Sequence, residues 1–157
     1  DEAAACEAFA AMEAIIRAQG ARFDGVIVAA MAQGRRELMI GAHRDPVFGP
    51  VVVVGDGGKY VEVFRDTALL LPPFGPDEVN EALHSLRIAP LFAGVRGEPP
   101  MDTEALARAV VAIGQMMIEQ ADVMSVDLNP VLINDVGAGV MVVDAVVFRA
   151  AEQMLAD

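Results

Sequence analysis

The sequence predicts one α+β domain over residues 1–157, a mostly antiparallel sheet with flanking helices. Three observations carry this. A chain of 157 residues is long enough for one domain with a real core and too short for two ordinary ones. Apolar residues make up 55%, with seven Phe, one Tyr and no Trp, so the core must be built from Val, Leu, Ile, Ala and Met. Short β-patterned runs share the chain with amphipathic helical stripes, with no internal repeat and no low-complexity linker between them.

Each element has its own signal. Residues 2–19 read as a leading helix, with Cys6, Phe9, Met12 and Ile16 spaced for one face and Gly20 as the stop. Residues 26–31 and 37–43 are expected strands joined by a turn at Gln33-Gly34. Residues 51–54 form a third, buried on both faces because all four are Val. Residues 60–64 alternate as a short fourth strand, and 67–71 read as a fifth. Pro72-Pro73 and Gly75-Pro76 break the chain before a helix from Pro76; proline fits a first turn, and Asp77 and Glu78 suit its dipole. Val79, Leu83 and Leu86 give that helix its stripe, and residues 89–101 read as loop. A longer helix covers 103–120 through Leu106, Val110, Ile113 and Met117. A strand at 123–133, a turn at 134–138 and a strand at 139–148 complete the pattern.

Charge narrows the function. With 23 acidic against 11 basic residues the formal net charge is −12, a field that repels nucleic acid and anionic membrane. A polyanionic ligand must then be drawn in by local donors or a metal ion. The lone Cys6 excludes an internal disulfide and suits a reducing compartment. The opening residues lack a basic stretch followed by an apolar one, and no apolar run reaches about 18 residues. A cytoplasmic protein that engages neither nucleic acid nor membrane is expected.

Two stretches bear on chemistry. Gly55-Asp56-Gly57-Gly58 lies between β-patterned runs. A phosphate loop of the GxxxxGK[ST] kind requires a helix after its lysine, but Lys59 is followed by Tyr60 and a strand pattern. A dinucleotide fingerprint fails for the same want of a helix. A hairpin turn with cheap positive φ and a concavity of backbone N–H groups for an anion both stay open. The second stretch is SVDLNPVLINDVGAGVMVVDAVV, residues 125–147. A hairpin centred between Val136 and Gly137 sets Asn129 opposite Asp144, with Asp127 on the face of Asn129. Three oxygen-bearing side chains on one face suit a hard cation such as Mg²⁺; a solvent-facing polar row, or Asn129-Pro130 as a turn initiator, is the plainer reading.

Five motifs occur in order: Glu37-Leu38-x-x-Gly41, Asp45-Pro-Val-Phe-Gly-Pro50, Gly55-Asp-Gly-Gly-Lys-Tyr-Val-Glu62, Asp127-x-Asn129-Pro130 and Val142-Val-Asp-Ala145. Together they resemble the ATP-grasp region of NDP-forming acyl-CoA synthetases, the superfamily of the succinyl-CoA synthetase β subunit. The resemblance runs from about Gly25 to Val147. It implies the second, C-terminal lobe of an ATP-grasp module, which clamps a nucleotide against a first lobe. By motif, Asn129 and Asp144 match the magnesium ligands and Asp127 is secondary. Glu37 takes the acidic position facing the nucleotide cleft. Gly57, Gly58 and Glu62 match the glycine-rich segment near the phosphates and the phosphohistidine docking site. The implied cofactors are ATP or ADP and Mg²⁺, with CoA held by domains outside this chain.

The resemblance also implies what lies elsewhere: the first lobe with its phosphate-binding lysine, and the CoA-binding and phosphohistidine domains. These are expected in the same polypeptide or another subunit, with no catalytic residue in this chain. A chain opening DEAAACEAF without Met is expected to be a fragment. The implied reaction converts acyl-CoA, an NDP and phosphate to acid, NTP and CoA, or its reverse, through an acyl phosphate and a phosphohistidine. Two alternatives are a regulatory synthetase-like module of a protein acetyltransferase and a packing domain at a subunit interface. Other candidates read as structural: His43 as a strand-end residue, His84 on a solvated helix face, Cys6 and Met116-Met117 as core. Arg35-Arg36 is a solvated pair or a phosphate contact, and Gly94-Val-Arg-Gly-Glu-Pro-Pro100 echoes the family without an assignable role.

Overall fold

A computed structural model describes residues 1–58 and 65–150. The chain divides into two compact units, Asp1–Met31 and Ala32–Asp157. In the first, helix α1 (Glu2–Ala18) starts where Asp1 Oδ1 accepts from Ala4 N at 2.9 Å, and an i,i+4 pair of Arg17 with Glu13 at 2.7 Å supports its last turns. Phe9 meets Phe23 edge to face with centroids 5.3 Å apart. The helix buries no residue, so Cys6, expected in a core, is exposed. The strand expected at residues 26–31 does not form: they carry no regular structure, and Ile27 and Val28 are 92% and 94% exposed. The reason is topological. A strand needs a partner edge, and both edges of the neighbour expected for it, residues 37–43, are taken by other strands.

The second unit is built on a six-stranded sheet. Its strands are β1 (Arg36–Asp45), β2 (Gly49–Asp56), β3 (Thr67–Leu70), β4 (Val123–Ile133), β5 (Val140–Val142) and β6 (Ala145–Arg149). The order is β3-β2-β1-β4-β5, with β6 also on β4, and every pairing is antiparallel. Asp45 makes the β1–β2 turn: its Oδ1 accepts from Val47 N at 2.8 Å and Phe48 N at 2.9 Å. Those two backbone donors, Phe48 first, hold the Asp45 carboxyl below the usual range. The glycine cluster is not a tight hairpin turn. β2 pairs with β3, Gly55 facing Thr67, so Gly57 and Gly58 begin a longer connection. The strand expected at 60–64 lies outside the described residues.

Alternation along the strands assigns the two faces. Leu38, Ile40 and Ala42 of β1, Val52 and Val54 of β2, and Val126 and Leu128 of β4 are all buried. Helices α2 (Pro76–Ser85) and α4 (Thr103–Glu119) cover that face, and a one-turn helix α3 (Ala89–Phe92) interrupts the expected loop. Val79, Leu83, Leu106, Val110 and Met117 fill the core at 0–1% exposure, each burial contributing about 1.5–3 kcal/mol. For α2, Glu78 reaches back to Gly75 N at 3.0 Å. For α4, Asp102 caps the start through Ala105 N at 3.0 Å. The Arg44 guanidinium donates to Val123 O at 2.8 Å, Met117 O at 2.6 Å and Gln120 O at 2.7 Å, closing its end. Asp66 accepts from Arg87 N at 2.8 Å and Ile88 N at 3.0 Å, tying the approach to β3 to the segment after α2.

The expected strand 139–148 is broken into β5 and β6 at Val143-Asp144. Residues 141–149 are all exposed, Val147 at 48% and Phe148 at 62%, so backbone ladders rather than side-chain burial hold this edge. No helix among the described residues is long and apolar enough to cross a membrane.

Candidate functional site

The glycine segment leaves β2 and crosses the start of β1. Gly57 N donates to Glu37 O at 3.1 Å, and a Cβ on Gly57 would strike the backbone of Leu38. Gly58 has φ +74°, and a Cβ there would collide with the Glu37 carboxylate. Glycine is required at 57 by the approach to fixed backbone and at 58 by the positive φ, whereas the Glu37 carboxylate is a flexible side-chain end that can shift. Gly58 N in turn donates to Asn129 Oδ1 at 3.3 Å. Three predicted positions distant in sequence, Glu37, Gly57-Gly58 and Asn129, thus meet at one end of the sheet.

Across β4 the register runs as the hairpin centre predicts. Leu128 faces Ala145 and Val131 faces Val142, and Asn129 falls opposite Asp144 in the gap between these pairs. Asp127 faces Gly41 on one side and Val146 on the other. Asp127 is exposed and Asn129 half-buried, while Val126 and Leu128 are buried, so the two polar side chains point away from the core. Among the described residues, neither the Asp127 nor the Asp144 carboxylate has a hydrogen bond or ion pair, and no three His, Cys, Asp or Glu converge on a metal-binding arrangement. The oxygens of Asp127, Asn129 and Asp144 are of the kind Mg²⁺ takes, one or two from protein with the rest left to water and phosphate. The Asn129 amide oxygen has two lone pairs, so it can keep the Gly58 N–H and still offer a donor pair to a cation. Glu62 lies outside the described residues.

The arginine pair is committed elsewhere. Arg36 reaches the buried Asp56 at 2.7 Å, while Arg35 meets Asp135 at 2.8 Å, Glu98 at 2.6 Å and the Pro99 carbonyl. The carboxylates raise the Arg35 pKa further, Asp135 foremost. His43 stands exposed on β1 opposite Val51 and Ser125, and His84 Nδ1 contacts Asn80 O at 2.6 Å. On the helical side, a cavity of about 870 Å³ between α2, α3 and the start of α4 contains none of the predicted site residues.

A glycine segment thus lies against an acidic strand start, beside an Asn–Asp pair in register on a hairpin. A family model described as an ATP-grasp domain matches residues 1–148. The chain belongs to the ATP-grasp domain family. Trans-feruloyl-CoA synthase of an unknown prokaryotic organism is 39% identical over 122 residues, 78% of this ATP-grasp chain and 17% of that protein. The beta subunit of the ADP-forming acetate–CoA ligase I of Pyrococcus furiosus is 36% identical over 107 residues, covering 68% of this chain and 46% of the subunit. The ATP-grasp chain thus spans less than half the length of either relative. Solved structures of Candidatus Korarchaeum cryptofilum dinucleotide-forming acetyl-coenzyme A synthetase 1 share the architecture. One with coenzyme A, acetyl-coenzyme A and a phosphorylated phosphohistidine segment aligns at a TM-score of 0.83 with 31% identity, covering 95% of this chain and 66% of that one. Another, with coenzyme A and Mg-AMPPCP, aligns at 0.71 with 35% identity, covering 76% and 55%.

Sequence reasoning missed Asp102, whose Oδ2 accepts from Gly137 N and Gly139 N at 3.0 Å each while Oδ1 caps α4. These donors, Ala105 first, lower its pKa against the opposing effect of burial. An Asp before a helix is a legible cap signal; its second duty, 35 and 37 residues away, is not.

Proposed function

We propose that this chain is the second, nucleotide- and magnesium-binding lobe of the ATP-grasp module of an NDP-forming acyl-CoA synthetase. The observation that carries the reading is Asn129 in register with Asp144 while its amide oxygen holds the glycine segment beside Glu37. The relatives are a CoA synthase and a CoA ligase, which favours a synthetase over a regulatory module of an acetyltransferase. ATP or ADP is the proposed nucleotide, and CoA and the phosphohistidine belong to domains outside these residues.

In the proposed reaction phosphate displaces CoA from acyl-CoA to give an acyl phosphate. A histidine of another domain takes the phosphoryl group as the acyl O–P bond breaks and the free acid leaves. It then delivers the group to the NDP to give NTP and the free histidine, and the reverse direction retraces these steps. This lobe contributes positioning and electrostatics rather than covalent chemistry. Asp144 supplies a negative charge and Asn129 a neutral oxygen, and Asp127 orients the pair or a bound water. The magnesium they hold would neutralise charge on the phosphate oxygens. Gly57 and Gly58 let backbone approach the phosphates where a side chain would obstruct them, and Glu37 borders the same cleft.

The test is Asp144→Asn in the full-length protein. It keeps the shape and removes the charge, so turnover should fall by about a hundredfold, with melting temperature nearly unchanged and partial rescue at high Mg²⁺. Retention of wild-type turnover and Mg²⁺ dependence would remove the magnesium assignment.

A further inference from the structure

The segment from Gly94 to Asp102, which the proposed chemistry leaves unused, is fastened to the turn at the tip of the β4–β5 hairpin. Gly94, at φ +82°, allows the segment to double back, because a Cβ there would strike the carbonyls of Glu98 and Pro99. Val136 N donates to Pro100 O at 3.0 Å and Asp102 N to Asn134 O at 2.9 Å. Met101 and Asp135 form an isolated antiparallel bridge, and Arg35 binds Glu98, Pro99 O and Asp135 together. At the centre Asp102, only 6% exposed, joins the start of α4 to Gly137 N and Gly139 N.

This fastening acts beside the β5 and β6 ladders on β4, at the one end of the hairpin where side-chain burial is slight. β5 is three residues long, with Met141 and Val142 48% and 42% exposed, so its packing specifies register only weakly. A slip of one residue would set Asn129 against Val143 or Ala145 and turn Asp144 to the other face. We propose that Asp102 is a positioning residue, which fixes the β4–β5 turn and thereby holds Asp144 opposite Asn129 for the cation. The proposal rests on the magnesium reading above and adds the residue that sets its geometry.

Three variants of the full-length protein test it: Asp102→Asn, Asp144→Asn, and Val110→Ala as a core control outside the clamp. An Asn at 102 offers one oxygen where the carboxylate offers two, so it can cap α4 or hold the glycine N–H groups but not both. Mn²⁺ affinity is read by electron paramagnetic resonance with ADP present, and amide exchange at Gly137 and Gly139 by hydrogen–deuterium methods, below every variant's melting transition. Asp102→Asn should accelerate exchange at both glycines and weaken Mn²⁺ binding by about tenfold, whereas Val110→Ala lowers melting temperature and leaves Mn²⁺ affinity within about twofold. If Asp144→Asn weakens Mn²⁺ binding and Asp102→Asn does not, the positioning role is wrong and the metal reading stands. An equal loss in Val110→Ala reduces the effect to general destabilisation and also overturns the proposal. Unchanged Mn²⁺ binding in Asp144→Asn overturns the metal reading and the positioning role with it.

Discussion

At Gly58 conformation and proximity make separate demands. Its φ of +74° disfavours any L side chain, and the space where a Cβ would go is occupied by the Glu37 carboxylate. Gly49 has a similar φ of +75° with nothing within 4 Å of its virtual Cβ. Gly49→Ala should therefore cost only the backbone strain, about 1–2 kcal/mol, and leave nucleotide binding alone. Gly58→Ala should cost a similar backbone strain, because the exposed Glu37 carboxylate can swing aside, yet weaken nucleotide binding in the full-length protein; equal affinities would show that the Glu37 contact is without consequence. At this scale short motifs marked positions that the fold brings near one another, as for Glu37, Gly57, Gly58 and Asn129, with Asp144 in register with Asn129. The sequence was silent on Arg44 and on the second bond of Asp102, because their partners are backbone groups brought near only by the finished fold.

Among the elements, α4 is held at both ends by charges. The Asp102 carboxylate satisfies one first-turn donor, Ala105 N, and the Arg44 guanidinium the last carbonyls, the arrangement its dipole favours. Arg44→Met keeps the aliphatic stem and removes three hydrogen bonds, so urea denaturation should show a loss of about 1–3 kcal/mol. The Asp102 pKa is lower in the folded chain than in the unfolded one, so the unfolded state binds more protons between the two values. The resulting stability is complete above the ordinary aspartate range near about pH 4 and is lost as pH falls through the folded value. Asp45 acts in the same direction. Melting temperature should decline on acidification below about pH 4, and the decline should be shallower in Asp102→Asn. Helices α2 and α4 were legible because their stripes repeat at the helical period against a single sheet face. The apolar run at 26–31 has the composition of a strand, but composition cannot reveal that both edges of β1 are already occupied. The break at Val143-Asp144 was equally hidden, since the apolar pattern passes through it without interruption.

At the scale of the second unit, helices cover one face of the sheet, and Glu37, Asp127 and Asn129 lie on the other. A clamp that closes on its ligand from two sides binds poorly with one, because half the contacts and most of the water exclusion are missing. Calorimetry on residues 1–157 alone should find ATP binding weaker than micromolar, and the same material should release no CoA from acyl-CoA given ADP and phosphate. Sub-micromolar affinity or CoA release would contradict the division of labour proposed here. Among the described residues no strand pairs with the outer edge of β5 and β6, which has a further consequence for colloidal behaviour. It offers backbone pairing groups flanked by Val146, Val147 and Phe148, the combination that lets one sheet extend into another. Mutual repulsion from the net charge of −12 keeps such borders apart, and that repulsion fades once added salt shortens the Debye length to a few ångströms. The isolated lobe should therefore sediment as a single species in dilute buffer and form larger species as sodium chloride approaches molar concentration, the reverse of an assembly held by ion pairs.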